Sequence, residues 1–209
     1  NNLLTPIMGY SILVLEQLPS DAEELYDNVL EIYNSSRKAK EIIARLSDLS
    51  RKNTSLTFQY VSPDELVRKV LAVASPARPP HVEVRTDLAC RHLWLRGNEI
   101  QLSQMLLNLI LNAYHAMEPG GGTLTVATRP EGEFLCFQVS DTGSGISPEV
   151  LPHIFEPFFT TKERGKGTGL GLAIVKELVG NLNGTITLRS GNSKVAFTVV
   201  LPFTLNAEK

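Results

Sequence analysis

The chain has 209 residues, 43% of them hydrophobic, and carries 20 lysines and arginines against 22 aspartates and glutamates for a formal net charge of -2. That apolar share can build a core in one large domain, or in one ordinary domain with an appendage, whereas the balanced charge excludes the basic surface that wraps nucleic acid. No apolar run approaches the roughly 20 residues that cross a bilayer and no basic start leads into an apolar signal core, so the segment is expected to be cytoplasmic in character, without direct membrane contact.

The first stretch reads as two helices. Leu4, Ile7, Ser11, Val14 and Leu18 alternate steps of three and four, and the pattern stops at Pro19-Ser20-Asp21. Either Ser20 or Asp21 can cap the next helix. The same stepping resumes through Leu25, Val29, Ile32, Ser36, Ala39, Ile43, Leu46 and Ser50, a heptad seam. Two antiparallel helices cannot bury both faces alone. The seam either meets a second copy in a four-helix bundle, which makes a homodimer, or packs on the rest of the chain. The polar run Arg51-Lys52-Asn53-Thr54-Ser55 suits a linker, so residues 1–55 form one expected domain and residues 56–209 a second.

The second domain reads in order as a strand over 56–61, a helix over 63–74, a proline-rich loop over 75–80, strands over 82–87 and 93–96, and a helix over 99–117. Strands at 123–129 and 133–140 follow, then a long loop over 141–168, a helix over 170–182, and strands over 184–190 and 194–202. Antiparallel strands with segregated helices give an α+β fold, a two-layer sandwich whose mixed sheet is covered by helices on one face. A loop as long as 141–168 inside a compact domain is usually functional, often a lid. Cys90 and Cys136 have no paired spacing and no neighbouring His; they read as buried, reduced thiols.

Several residues interrupt these patterns. Asn108 and Asn112 lie one turn apart on one side of the 99–117 helix, where Asn is a poor helix former and costly to bury unpaired. They are either exposed or locally bonded amides, or amides whose oxygens face Mg²⁺ and phosphate, hard ligands of the kind Mg²⁺ takes. His115 follows on the same side, as a surface residue or as a phosphate contact. Asp141 ends a strand; it either initiates a turn with Gly143 or accepts a hydrogen bond from an exocyclic amine, which reads adenine. Gly143 and Gly145, then Gly165, Gly167, Gly169 and Gly171, let backbone amides approach an anion closely, and the second group precedes a helix whose positive end favours phosphate. The P-loop string is absent, because Gly165-Lys166 is followed by Gly167. Between the two groups, Phe155, Phe158 and Phe159 need a place to be buried, which closing over a ligand would supply. Lys162 and Lys166 are either solvated charges or neutralise terminal phosphates.

Together these strings resemble the ATP-binding domain of sensor histidine kinases, in the Bergerat-fold superfamily that also holds gyrase, MutL-type and chaperone ATPases. Asn108-Leu-Ile-Leu-Asn112-Ala113 resembles the asparagine box, Asp141-Thr-Gly-Ser-Gly145 the first glycine box, Phe155-Glu-Pro-Phe158-Phe159 the phenylalanine box and Gly167-Thr-Gly-Leu-Gly171 the second glycine box. The resemblance covers roughly residues 56–205. It implies that Asn112 binds Mg²⁺ with Asn108 beside it, that Asp141 binds the adenine amine, and that amides around Gly169, Leu170 and Gly171 bind phosphates. The implied ATP-binding set further includes His115, Gly143, Gly145, Ile146, Phe158, Thr161, Lys162, Lys166, Gly167, Thr168 and, on a late strand, Thr198.

The hairpin resembles the dimerisation and phosphotransfer domain of the same kinases, in which a phosphorylated His is followed by an acid, an apolar residue and Asn-Asn-Leu-Leu. Here Asn1-Asn2-Leu3-Leu4 opens the sequence, so the acceptor His and its acid are expected just before residue 1; His81, His92, His115 and His153 all lie in the other domain. Asn2 falls where relatives orient water for dephosphorylating the partner regulator. The resemblance implies a kinase that takes the γ-phosphoryl group of ATP onto that His and passes it to an Asp of a response regulator. The alternatives are an ATP-driven conformational clamp, whose relatives carry Glu where this chain has Asn108, and a dimeric scaffold with a nucleotide-sensing site.

Overall fold

The computed structural model describes residues 4–19, 22–34, 36, 58–162, 167–191 and 194–203. The chain divides into two compact units, one of residues 1–56 with 160–168 and one of residues 57–159 with 169–209.

In the first unit, α1 spans Leu4–Gln17 and a second helical stretch covers 23–34. Between them the Ala22 amide donates to the Pro19 carbonyl at 3.1 Å. Ser11 is buried and satisfied by its own helix, its hydroxyl donating to the Ile7 carbonyl at 2.8 Å. Of the other seam side chains, Ile7, Val14, Leu25 and Ile32 stay 42–51% exposed, whereas Leu4, Leu18 and Val29 are half-buried and Ser36 is buried. The seam from Ala39 to Ser50 lies outside the described residues.

The second unit runs β1 (Gln59–Val61), α2 (Pro63–Ala74), β2 (Val82–Leu88), β3 (Leu95–Gly97), α3 (Glu99–Met117), β4 (Gly122–Glu131), β5 (Phe134–Asp141), α4 (Gly171–Asn181), β6 (Thr185–Gly191) and β7 (Lys194–Pro202). Helix starts follow local chemistry. Pro63 occupies the first turn of α2 with Asp64 and Glu65 beside it, and the Asn98 side chain caps α3 by accepting from the Gln101 amide at 3.0 Å, both favoured at helix N-termini.

The main sheet has the order β2-β4-β5-β7-β6, with β2 and β4 parallel and the other pairs antiparallel. Its strands alternate: Leu135, Phe137 and Val139 of β5 stand opposite Leu201, Val199 and Phe197 of β7, and all six are buried. Leu102, Met105, Leu106, Leu109 and Ile110 of α3 and Ile174, Val175 and Leu178 of α4 are buried as well and complete the core. The result is the expected mixed sheet with helices on one face. Under α2 sits a polar node, in which the buried Asp64 carboxylate accepts from the Thr128 hydroxyl at 2.6 Å and from the Cys90 amide at 3.2 Å. Cys90 and Cys136 are free and buried.

Two features differ from the pattern reading. The strand expected at 93–96 is β3, which pairs only with β1 in a separate two-stranded ribbon; strands three residues long carry too few side chains to display a period. Short 3₁₀ turns occupy Ser75–Ala77 and Leu151–His153 within segments read as loop. Among the described residues, no helix is long and apolar enough to cross a membrane.

Candidate functional site

α3 carries the two asparagines to the start of α4. A Cβ placed on Gly171 would lie 3.7 Å from Asn108 Oδ1 and 3.9 Å from Asn112 Nδ2, so both amides abut the first turn of that helix. Asn108 Nδ2 is buried without a hydrogen-bond partner among the described residues. A buried donor left unpaired costs about 1–3 kcal/mol, and α4 itself has no side-chain N-cap. Its first amides and the Asn108 amide therefore present a group of donors awaiting an acceptor. His115, one turn beyond Asn112, is exposed and places Nδ1 2.5 Å from the Leu111 carbonyl oxygen. A carbonyl only accepts, so Nδ1 carries the proton and Nε2 remains for a ligand.

The first glycine segment hangs between α3 and the sheet. Asp141 is 4% exposed and its Oδ1 accepts from the Gly143 amide at 2.9 Å, the Asx geometry of a turn. Burial pushes the Asp141 carboxyl above its ordinary range, and the Gly143 hydrogen bond offsets only part of that. A Cβ at Gly143 would fall 2.6 Å from the Ala116 carbonyl oxygen, to which the Ser144 amide donates at 3.1 Å. Only glycine permits this approach. Ile146 is tied to β6 in both directions, its amide donating to Ser190 Oγ at 3.3 Å and its carbonyl accepting from the same hydroxyl at 3.2 Å.

Strand register separates Thr198 from Asp141. Asp141 stands opposite Val195, and Val195 opposite Ser190, so these three form a row on the helix-covered face. Thr198 is three residues from Val195 and points to the other face, where its hydroxyl accepts from Gln138 Nε2 at 3.3 Å. Thr198 therefore does not converge with Asp141. Val195 and Ser190 occupy that place instead, and the alternation of Val195, Phe197, Val199 and Leu201 was the sequence signal for it.

The second glycine segment is locked to the phenylalanine segment. The Phe158 amide donates to the Gly169 carbonyl at 3.0 Å, Gly169 has φ +64, and a Cβ there would come within 2.3 Å of the Phe158 carbonyl carbon. Phe158 itself has φ +69, a left-handed conformation uncommon for a bulky residue and typical of functional loops. Its ring is 59% exposed. Around it, Lys176 Nζ lies 5.7 Å from the Phe155 ring centre, and His153 pairs with Glu156 at 2.9 Å and tilts against Phe159 at 5.5 Å.

Leu170 and Gly171 thus join Asn108, Asn112, Asp141, Gly143 and Ile146 in one unit. Thr161, Lys162, Gly167 and Thr168 belong to the other unit, where the Lys162 amide donates to Thr160 Oγ1 at 3.2 Å and a Cβ at Gly167 would meet the same oxygen at 2.6 Å. Gly145 has φ +79 with open space around it. Lys166 and Asn2 lie outside the described residues. Among the described residues no group of three His, Cys, Asp or Glu could hold a metal ion. The donors at hand are amide oxygens, hard ligands that suit a Mg²⁺ ion also held by phosphate and water.

Residues 97–205 match the family model described as histidine kinase-, DNA gyrase B- and HSP90-like ATPase. The chain is 33% identical, over 97% of its own length, to the sensor kinase CckA of Brucella abortus, and spans 23% of that protein. Among solved structures, the catalytic domain of histidine kinase ThkA in a nucleotide-free form matches with a TM-score of 0.63 at 26% identity, covering 71% of this chain and 97% of that one. Full-length ShkA in complex with AMPPNP matches with a TM-score of 0.69 at 27% identity, covering 99% of this chain and 45% of that one.

Proposed function

From a chain that belongs to the histidine kinase-, DNA gyrase B- and HSP90-like ATPase family and forms the ATP-binding core of a sensor histidine kinase, we propose that it holds Mg-ATP and donates the γ-phosphoryl group to a histidine. An aspartate of a response regulator takes the group next.

Each residue has a role in this reading. The Asp141 carboxylate accepts the adenine amine, with Val195 and Ser190 shaping the floor beside it. The uncapped amides of α4 and the Asn108 amide donate to phosphate oxygens, and His115, one turn beyond Asn112 with its Nδ1 held by the Leu111 carbonyl, keeps Nε2 for the ligand. Asn112 and Asn108 offer carboxamide oxygens to Mg²⁺, which when bound neutralises charge on the phosphates during in-line transfer. Phe158, with Gly169 behind it, lines the loop that shuts water out. The resemblance also assigns ATP-binding roles to Thr161, Lys162, Lys166, Gly167 and Thr168. Asn2 orients water in the reverse, dephosphorylating reaction. At position 108 an amide cannot serve as a general base toward water, which disfavours a hydrolysing clamp. The exposed seam residues Ile7, Val14, Leu25 and Ile32 support a dimer through the hairpin, and the whole acts in the cytoplasm.

The observation that carries the reading is the buried, unpartnered Asn108 Nδ2 beside an uncapped helix start. Calorimetric titration tests it. Saturable ATP binding that tightens with Mg²⁺ and exceeds GTP binding is expected; no saturable binding sinks it.

A further inference from the structure

The β1–β3 ribbon presents a second surface, remote from the nucleotide site. Val61 and Leu95 stand opposite each other and are buried, so the directly opposed Tyr60 and Arg96 face outward together. Continuing the alternation, Phe58 and Trp94 fall on the same outward side, and Phe58, Tyr60 and Trp94 are 47%, 45% and 39% exposed. Three large aromatic side chains and an arginine thus crowd a ribbon only three residue pairs long.

A groove of about 340 Å³ opens beside this ribbon. Phe58 and Arg96 line one side, Leu182 and Asn183 another, and Leu201 and Pro202 a third. Leu201 lies six residues along β7 from Val195, the register partner of Asp141, which is roughly 20 Å of strand. The groove is therefore separate from the nucleotide site.

Its charge is one-sided. Arg96 is the sole charged residue of the lining, and among the described residues it makes no ion pair. The nearby Glu99 carboxylate is already engaged by Lys69 at 2.8 Å and by Gln59 at 2.9 Å. Asn183, in a left-handed conformation with φ +53, lines the groove with its polar side chain. Tyr, Trp and Arg are the residue types enriched at protein interfaces, and it is this aromatic and arginine rim, rather than the volume of the groove, that favours a protein segment as its occupant.

We propose that this groove docks an extended segment of a partner protein in which a carboxylate neighbours an aromatic or aliphatic side chain. The carboxylate meets the Arg96 guanidinium, the apolar side chain enters between Phe58, Leu182 and Pro202, the Asn183 amide meets the segment backbone, and Tyr60 and Trp94 extend the contact along it.

A random dodecapeptide display library panned on the full chain tests this. Selected peptides should carry Asp or Glu beside Phe, Trp or Leu, and as fluorescein-labelled peptides should bind at least about tenfold more weakly to Arg96→Gln and to Trp94→Ala, the loss typical of interface anchors. ATP affinity should be the same in all three proteins, which shows the variants folded. Failure to select such peptides, or peptides indifferent to both substitutions, overturns the assignment. So does variant-sensitive cosedimentation with phosphatidylglycerol vesicles in the absence of peptide binding, which would give the patch to a membrane.

Discussion

Asp141 and Val195 stand opposite each other across β5 and β7, and on that pairing depends which late-strand residue can touch the nucleotide base. Thr198→Val should leave ATP affinity within about twofold and cost no more than about 1 kcal/mol of stability, the worth of its hydrogen bond with Gln138. Val195→Leu adds a methylene beside the Asp141 carboxylate and should weaken ATP by about tenfold or more, the usual effect of one methylene on a fitted pocket. Calorimetry on both variants checks this. Equal losses would return Thr198 to the site.

Asp141 also gives a pH signature. Burial raises its carboxyl pKa, so the folded protein holds this proton more tightly than the unfolded chain does. Its stabilising contribution is complete at low pH and is lost as pH rises through the raised folded value. At neutral pH the ionised carboxylate is therefore a cost to the fold. Asp141→Asn retains an acceptor for the Gly143 amide, so its melting temperature near neutral pH should equal or exceed that of the parent. Its ATP affinity should drop by about tenfold or more, since a hydrogen bond to a charged group is worth about 1.5–3 kcal/mol. Parental ATP affinity should decline on acidification through the raised value, and the variant should lack that decline. A variant that melts earlier yet binds ATP normally contradicts the base-reading role.

Two glycines in one motif should behave differently. Gly169→Ala forces a Cβ into the Phe158 backbone at a left-handed φ, so destabilisation of at least about 1 kcal/mol is expected. Gly171→Ala places its Cβ at ordinary contact distance from Asn108 and Asn112 and adds a better helix former. Its melting temperature should hold or rise while ATP binding weakens, because the methyl enters the space between the amides and the phosphates. Thermal melts paired with titrations separate the two.

Much of the fold was readable because its signals are local. Pro63 and Asn98 mark the starts of α2 and α3, and Leu102 through Ile110 repeat with helical period. The sheet strands were legible in the same way, through the alternation of Leu135, Phe137 and Val139. What escaped depends on pairing between distant segments. The alternation along β7 puts Val195 and Thr198 on opposite faces, but that Val195 and Ser190 stand in a row with Asp141 follows only from register, which no local window displays. The strands of the β1–β3 ribbon are legible at 56–61 and 93–96, but their pairing apart from the main sheet is not. The unpartnered Asn108 amide was half legible: its residue type looked wrong for a helix face, but only packing against α4 shows that the protein leaves its nitrogen unsatisfied.

The cysteines supply a test of the core. Burial pushes the Cys136 thiol up to about 11 and raises that of Cys90 as well, so neither holds thiolate at neutral pH, the form that reacts. In the native protein both should resist a disulfide reagent at neutral pH, and both should react at once in denaturant. Rapid native labelling of either would mean that the sheet opens locally.

Asn108→Leu sets stability against function at a single position. The parent leaves a buried amide nitrogen without an acceptor, so replacing it by an apolar side chain removes a desolvation cost of about 1–3 kcal/mol. Without nucleotide, the variant should therefore unfold at a higher denaturant midpoint with an unchanged slope, the signature of altered stability rather than altered compactness. With nucleotide the order should reverse: ATP stabilises the parent through binding, whereas the variant has lost the donor that meets the phosphates and should gain little. Denaturation of both proteins with and without Mg-ATP gives all four midpoints. A variant that is less stable alone and still protected by ATP would show that the Asn108 amide serves the packing of α3 on α4 and not the ligand.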